Sequence, residues 1–358
     1  MMKHCSLGHR PARSLAFLIP VMAALLLSSC ATPPAAIQPE PFTLVILPDT
    51  QIYPHDRPEW RRSSRKEIFV AQTRWIADNA KKENIPFVLH MGDIVHVESE
   101  PYQWVNANRA MTILDGVVPY AFCVGNHDLV NSPEEGSGIV RDSTHYNQTF
   151  PYTRYEHEPW YGGRMANDGY LPQDNNDNAY FFFDAGGMEF MVVTLECGPT
   201  DAMVAWADII ITSHPDKRVI VMTHSYMLGD NTRDPGHDYL PPTQLNSGEQ
   251  IWQKLIRKHA NILFVLSGHH NNSPTHRGLL ASTGDHGNTV YQLISGEDYD
   301  GWLRLMRFVP AENKIVIKTY SPWQPDDPQL QFMQYDFTLP GYHRDDPHEY
   351  ELPYQQLN

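Results

Sequence analysis

Six nearly continuous apolar runs of strand length punctuate the chain, at residues 44–47, 87–90, 121–124, 190–195, 219–222 and 263–266. Their apolar positions do not alternate with polar ones, which is the pattern of strands buried on both faces. Between them lie segments with helical spacing. Ser64 offers a cap for a helix carrying Ile68, Ala71, Trp75, Ile76 and Ala80, while Ile251, Trp252, Leu255, Ile256 and His259 mark one side of another. Strands alternating with helices predict an α/β sheet, whose ligands gather beyond the carboxyl ends of its strands. Past residue 276, runs at 290–294, 303–309 and 315–320 predict antiparallel strands that complete a second sheet.

The stretch 131–177 breaks this rhythm, being rich in Gly, Pro, Asn, Tyr and Trp with little periodicity. It is too long for a neutral connector in a compact domain. Two readings stay open: a lid or wall over a site, or a packed surface excursion. Asn178 and Tyr180 at its end, and Thr283-Gly284-Asp285-His286-Gly287-Asn288 further on, are candidates for a site rim and equally for plain structure. The Pro- and Asp-rich residues 325–358 are expected to wrap the surface as a tail.

Lys3, Arg10 and Arg13 precede the apolar residues 15–27, a stretch too short for a stable membrane span and placed as a secretory signal is. Leu27-Ser28-Ser29-Cys30 resembles the lipobox of bacterial lipoproteins, which implies cleavage before Cys30 and acylation of that residue. The expected organisation is a signal peptide at 1–29, a lipidated Ala/Pro-rich tether at 30–41, a catalytic domain at 42–324 and the tail. Several acyl chains on Cys30 would anchor the protein at the bacterial cell envelope. Ala31 rather than an aspartate follows the cysteine, which favours the outer membrane in a cell with two membranes. Loss of residues 1–29 takes the formal charge from −15 to −18, since three basic and no acidic residues leave. Such a surface argues against a nucleic-acid backbone as the main partner. Cys123 and Cys197 are either a disulfide or two buried thiols.

Candidate chemistry lies in five polar turns, each at the end of an apolar run: Asp49-Thr50-Gln51, Gly92-Asp93, Gly125-Asn126-His127-Asp128, Thr223-His224-Ser225 and Gly268-His269-His270-Asn271. Carboxylates, imidazoles and an amide oxygen are the ligands for two metal ions about 4 Å apart, which can activate water and cancel phosphoryl charge. In order and spacing the turns resemble the signature of the calcineurin-like metallophosphoesterases, across roughly residues 42–320. The resemblance implies a four-layer α/β/β/α sandwich of two mixed sheets with a dinuclear site where the sheets meet. It implies a hydrolase of phosphate mono- or diesters whose nucleophile is a metal-bound hydroxide.

Carried over by position, the resemblance assigns one metal to Asp93, Asn126, His224 and His269, with Asp93 shared. The second metal falls to Asp49, Gln51 and Asn271, where the family pattern has histidines in place of Gln51 and Asn271. Both departures fall on the same metal. Oxygen ligation suits harder ions such as Mn²⁺, Mg²⁺ or Ca²⁺, and imidazole suits Zn²⁺ or Fe, so an asymmetric pair is expected. His96 stands three residues after Asp93, where the related purple acid phosphatases carry a metal-binding tyrosine. It is either a substitute for the missing first-turn imidazole or a loop histidine at the site mouth, and His270 is a further rim or ligand candidate. The resemblance points His127 at the substrate, as an acid or a stabiliser of phosphoryl charge. Asp128 either orients that ring or braces the turn. The two replaced ligands also leave open a catalytically silent metal-binding lipoprotein on the same fold.

Overall fold

The structure is a computed structural model and describes residues 39–55, 65–130, 141–170, 172–236, 245–270, 277–296, 301–323 and 349–353. Cys30, Ser64 and Asn271 lie outside the described residues, as does most of the 325–358 tail. Strand β1 (Phe42–Leu47) leads through helices α1 (Ile52–His55) and α2 (Lys66–Asn79) to β2 (Val88–His90), α3 (Pro101–Met111) and β3 (Tyr120–Phe122). The 131–177 stretch contributes α4 (Thr144–Thr149) and β4 (Tyr161–Arg164). Next come β5 (Ala179–Ala185), β6 (Met188–Leu195), α5 (Asp201–Ser213), β7 (Arg218–Thr223), α6 (Gly248–Lys254) and β8 (Ile262–Ser267). The chain closes with β9 (Arg277–Thr283), β10 (Thr289–Ser295), β11 (Leu303–Val309), β12 (Lys314–Tyr320) and β13 (Glu349–Pro353).

Two mixed sheets result, ordered β13-β12-β11-β1-β2-β3 and β4-β5-β6-β7-β8-β10-β9. Strand parity explains why the apolar runs are continuous. Phe42, Leu44 and Ile46 of β1 enter the cluster between the sheets, whereas Val45 and Leu47 join Ile68, Phe69 and Ile76 of α2 on the outer face. In the second sheet Val192 of β6 faces the other sheet, while Met191, Val193 and Leu195 pack against Met203 and Ala207 of α5. β1 and β6 therefore bury both faces, and the layers run helix, sheet, sheet, helix as expected.

The later strands depart from expectation. Of the three strands predicted past residue 276, β10 alone belongs to the second sheet, where it runs parallel to β8 and antiparallel to β9. β11 and β12 instead extend the first sheet, with β11 antiparallel to β1 in the register Phe42↔Phe308. The two rings stack at 4.5 Å. A hydrophobic pattern marks a strand without naming its partner, so sheet membership was not legible.

Helix α2 begins at Lys66 behind Arg65, which makes no side-chain cap. The second predicted helix is shorter than its pattern: Ser247 caps α6, which ends at Lys254, and Ile256–Lys258 forms a separate 3₁₀ turn. The described part of 131–177 is built into the sandwich. The ring of Phe150, just past α4, has its centroid 4.7 Å from that of Phe122 of β3, and β4 is the edge strand beside β5. Cys123 and Cys197 are buried free thiols, and burial pushes both pKa values up. Among the described residues, no helix is long and apolar enough to cross a membrane.

Candidate metal centre

Register brings the polar turns level. Leu47 of β1 pairs with His90 of β2, and His90 with Phe122 of β3, so the first three turns leave one sheet edge together. Leu195 of β6 pairs with Thr223 of β7, and Met222 with Leu266 of β8, which levels the last two in the other sheet. Hydrogen bonds then stitch one edge to the other. His269 N–H donates to Asp49 Oδ2 at 2.8 Å, Cys197 N–H donates to the Val124 carbonyl at 2.8 Å, and His224 Nδ1 lies 2.7 Å from the Met91 carbonyl.

The glycines of the signature are there for space. A Cβ on Gly125 would stand 2.1 Å from Asp93 Oδ1, and one on Gly268 would stand 2.0 Å from Asp49 Oδ1. Asp93 and His269 themselves adopt left-handed backbone, at φ 49° and 71°. Such strain in non-glycine residues collects at functional sites.

Asp93, His224 and His269 offer ligand atoms that all lie within 4.8 Å of one another. His224 is fully buried, and its Nδ1–H is committed to Met91, which leaves Nε2 facing the site. That nitrogen sits 3.1 Å from both Asp93 Oδ2 and Asn126 Oδ1. Three acceptors converging in a buried place require a positive charge among them, as a proton or a divalent ion. Burial works to lower the His224 pKa, but Asp93 and Asp49 overcome it and raise it to about 10. Burial likewise works to raise Asp93, and the charges of His224, His127 and His269 hold it below the usual carboxylate range. The donor set at this first site fits a divalent ion.

The second predicted site is only partly in view. Asp49 and Gln51 are buried beside it. Asp49 accepts from the His269 amide, and Gln51 Oε1 lies 3.0 Å from His96 Nδ1. His96 is thus placed beside the position whose imidazole is missing. His270 turns away, with Nε2 3.3 Å from Ser225 Oγ and 3.9 Å from Asp234 Oδ2.

His127 donates its backbone N–H to Asp93 Oδ1 at 2.8 Å, and its Nδ1 lies 2.7 Å from the His96 carbonyl. The two rings stack at 5.0 Å. His96, not Asp128, therefore orients the His127 ring. Asp128 is the brace: Oδ1 accepts from the Ile94 and Val95 amides at 2.8 and 3.2 Å, and Oδ2 accepts from Gly125 at 2.9 Å. Burial and the nearby Asp93 charge raise its pKa to about 7 against those donors.

The weaker rim candidates are structural. Asn178 is buried and bonds Glu196 through both ends of its amide. Tyr180 packs with Phe182 and Trp206 on the outer helical face. The 284–288 turn joins β9 to β10 beside Arg257 and the start of β8, at the opposite end of the sheet from Gly268.

Sequence reasoning also passed over residues that hold the site. Glu196, buried at the end of β6, pairs with Arg141 and accepts from Thr223 at its carbonyl. Its carboxylate, with those of Asp168 and Asp177, forms a second close acidic group. His90 is fully buried with both ring nitrogens bonded, to Gly92 and Thr50. The available signal was a histidine ending an otherwise apolar strand.

The profile of the family described as calcineurin-like phosphoesterase matches residues 42–273. The uncharacterized protein YvnB of Bacillus subtilis (strain 168) is 30% identical over 293 residues, covering 80% of this chain and 20% of that protein. The chain thus spans about a fifth of the length of this curated relative. A dimetal phosphatase structure from Danio rerio is 15% identical with a TM-score of 0.49, covering 79% of this chain and 97% of that one. A purple acid phosphatase from yellow lupin (Lupinus luteus) seeds is 13% identical with a TM-score of 0.47, covering 80% and 52%. With the profile running from β1 through the last polar turn, the chain belongs to the family described as calcineurin-like phosphoesterase.

Proposed function

We propose that this chain is an exported, lipid-anchored phosphoesterase that hydrolyses phosphate mono- or diesters with two divalent ions held unequally. The observation that carries the reading is the convergence of Asp93, His224 and His269 within 4.8 Å, with Asn126 Oδ1 against His224. Asp93, Asn126, His224 and His269 would hold the tighter ion, and Asp49, Gln51 and Asn271 the weaker and harder one. Bound divalent ions supply charge cancellation and water activation at neutral pH.

The chain's own residues supply the rest. His127 keeps Nδ1–H on the His96 carbonyl, so Nε2 is the nitrogen left to protonate the leaving oxygen or stabilise phosphoryl charge. The stack on His96 holds that ring in place, while Asp128 holds the Gly125 and Ile94 turns at fixed spacing. No covalent bond between enzyme and substrate is needed.

The test is hydrolysis of chromogenic phosphate mono- and diesters by the mature domain with Mn²⁺, Mg²⁺, Ca²⁺ or Zn²⁺, beside Asp93→Asn and His127→Ala. Each variant should lose roughly 10²-fold or more in kcat, the scale of a general acid or of a misplaced charge. Wild-type turnover no higher than either variant in every metal would sink the enzyme reading. Two equally tight zinc ions would sink the asymmetry. The catalytically silent alternative is favoured by one contact, the 3.0 Å approach of His96 to Gln51 Oε1, which engages an expected ligand. For the anchor, mass spectrometry of the envelope protein should show an acylated N-terminal Cys30, and an intact residue 29–30 bond would refute it.

A further inference from the structure

His90 ends β2, three residues before Asp93, and carries no role in the family signature described above. Its ring is wholly buried between the Asp49-Thr50-Gln51 turn and the Gly92-Asp93-Ile94 turn. Gly92 N–H donates to Nδ1 at 3.2 Å, so in the neutral ring the proton must sit on Nε2. Nε2 lies 3.0 Å from Thr50 Oγ1, and Thr50 Oγ1 in turn donates to the Ile94 carbonyl at 3.3 Å. Donors and acceptors alternate without conflict along the whole chain: Gly92 N–H, the imidazole, the Thr50 hydroxyl, the Ile94 carbonyl. Burial, then the His224 charge, lower the ring's pKa to about 3, which agrees with a permanently neutral imidazole.

We propose that His90 is a positioning residue that locks the turn bearing Asp49 and Gln51 to the turn bearing Asp93, and so sets the binding of the second divalent ion without ligating either ion. The inference rests on the two-ion reading of the site. Asp93 is held independently by His127 N–H and faces His224, so the first ion does not depend on this lock. Asp49 and Gln51 belong to the far turn, whose distance from Asp93 the imidazole spans. A ligand set divided between two turns binds an ion well only if their separation is fixed beforehand.

Two substitutions separate the lock from mere bulk. An asparagine at position 90 keeps an acceptor near the Gly92 amide but falls short of Thr50. A glutamine extends an amide donor toward Thr50 and should rescue. Mn²⁺ is titrated into metal-free protein, with bound ions counted from the loss of the free-ion EPR signal and the ion pair read from its spin coupling. Wild type should take two ions. His90→Asn and Thr50→Val should each weaken the second by about tenfold or more, the scale of one lost buried hydrogen bond, and leave the first nearly unchanged. The double variant should be no worse than either single one, because both cut the same link.

Equal weakening of both ions, or of neither, overturns the proposal while leaving the site assignment intact. Uptake of one ion or none by wild type refutes the two-ion reading, and this inference with it. Should the variants fail to fold, ¹⁵N NMR of the wild-type metal-free protein decides: an Nε2–H tautomer at His90 is expected, and an Nδ1–H tautomer overturns the lock.

Discussion

Replacing Gly125 with alanine puts a methyl group where Asp93 already is. The new Cβ would stand 2.1 Å from Asp93 Oδ1, 2.3 Å from Asp93 N and 2.9 Å from Asp93 Cα. Two of these atoms are backbone, so no rotamer change relieves the clash, and the Gly125 and Asp93 turns must separate by roughly 1 Å to reach tolerable contact. Overpacking of this kind costs about 1–3 kcal/mol. The separation also strains Gly125 N–H to Asp128 Oδ2 and His127 N–H to Asp93 Oδ1, each worth about 1 kcal/mol. The sum, about 3–5 kcal/mol, is below the total stability of most domains, so a folded but damaged protein is expected. Thermal unfolding without metal should show a midpoint lowered by roughly 5–15 °C. Calorimetric Mn²⁺ titration and ester hydrolysis should each fall about 10²-fold, because Asp93 and Asn126 no longer converge. Gly116→Asn is the control, since Gly116 has φ +68°, a Cβ added there would meet nothing within 4 Å, and asparagine tolerates that conformation. Gly125→Ala protein that binds Mn²⁺ within about threefold of wild type would refute the close-packed reading of this turn, because even a modest shift in ligand position exceeds that.

Asp177 is fully buried, accepts from Ser143 Oγ and Asn147 Nδ2, and has its pKa raised to about 7 by burial. Because the folded value lies above the unfolded one, the folded state holds the extra proton between about pH 4 and 7 and stability falls as pH rises through that window. Asp177→Asn should make this part of the midpoint-versus-pH curve shallower, with Asp128, also raised to about 7, contributing the remainder, and an unchanged slope would show that Asp177 has no part in it. Cys123 and Cys197 should react with a thiol reagent only after unfolding, two groups in the chain from Phe42 onward. A mass two hydrogens lighter before reduction would reveal a disulfide instead.

Much of the candidate site was legible because its polar side chains sit in sequence-local turns whose glycines and aspartates answer to local sterics. Gly125-Asn126-His127-Asp128 could be read as one unit for that reason, and the fold brings ligand atoms of Asp93, His224 and His269 within 4.8 Å of one another. Asp128 was ambiguous because its choice between the His127 ring and three backbone amides depends on the Gly92–Val95 loop folding over it. His96 was noticed for its distance from Asp93, but its use of a carbonyl and a ring face to hold His127 is a contact across 31 positions. His90 showed no motif at all, since its partners Thr50 and Gly92 come from two different turns.

What the sequence determined by itself was the layered α/β architecture and the polar turns at its strand ends, because burial on both strand faces and the demands of tight turns are local and leave a pattern. Only the tertiary structure decided which sheet took β10, β11 and β12, and which side chains brace the ligands. Those outcomes depend on pairing energies and hydrogen bonds between residues far apart in the chain, such as Phe42 with Phe308 and His224 with Met91. No local preference encodes such partners; they are chosen only when the two sheet edges meet.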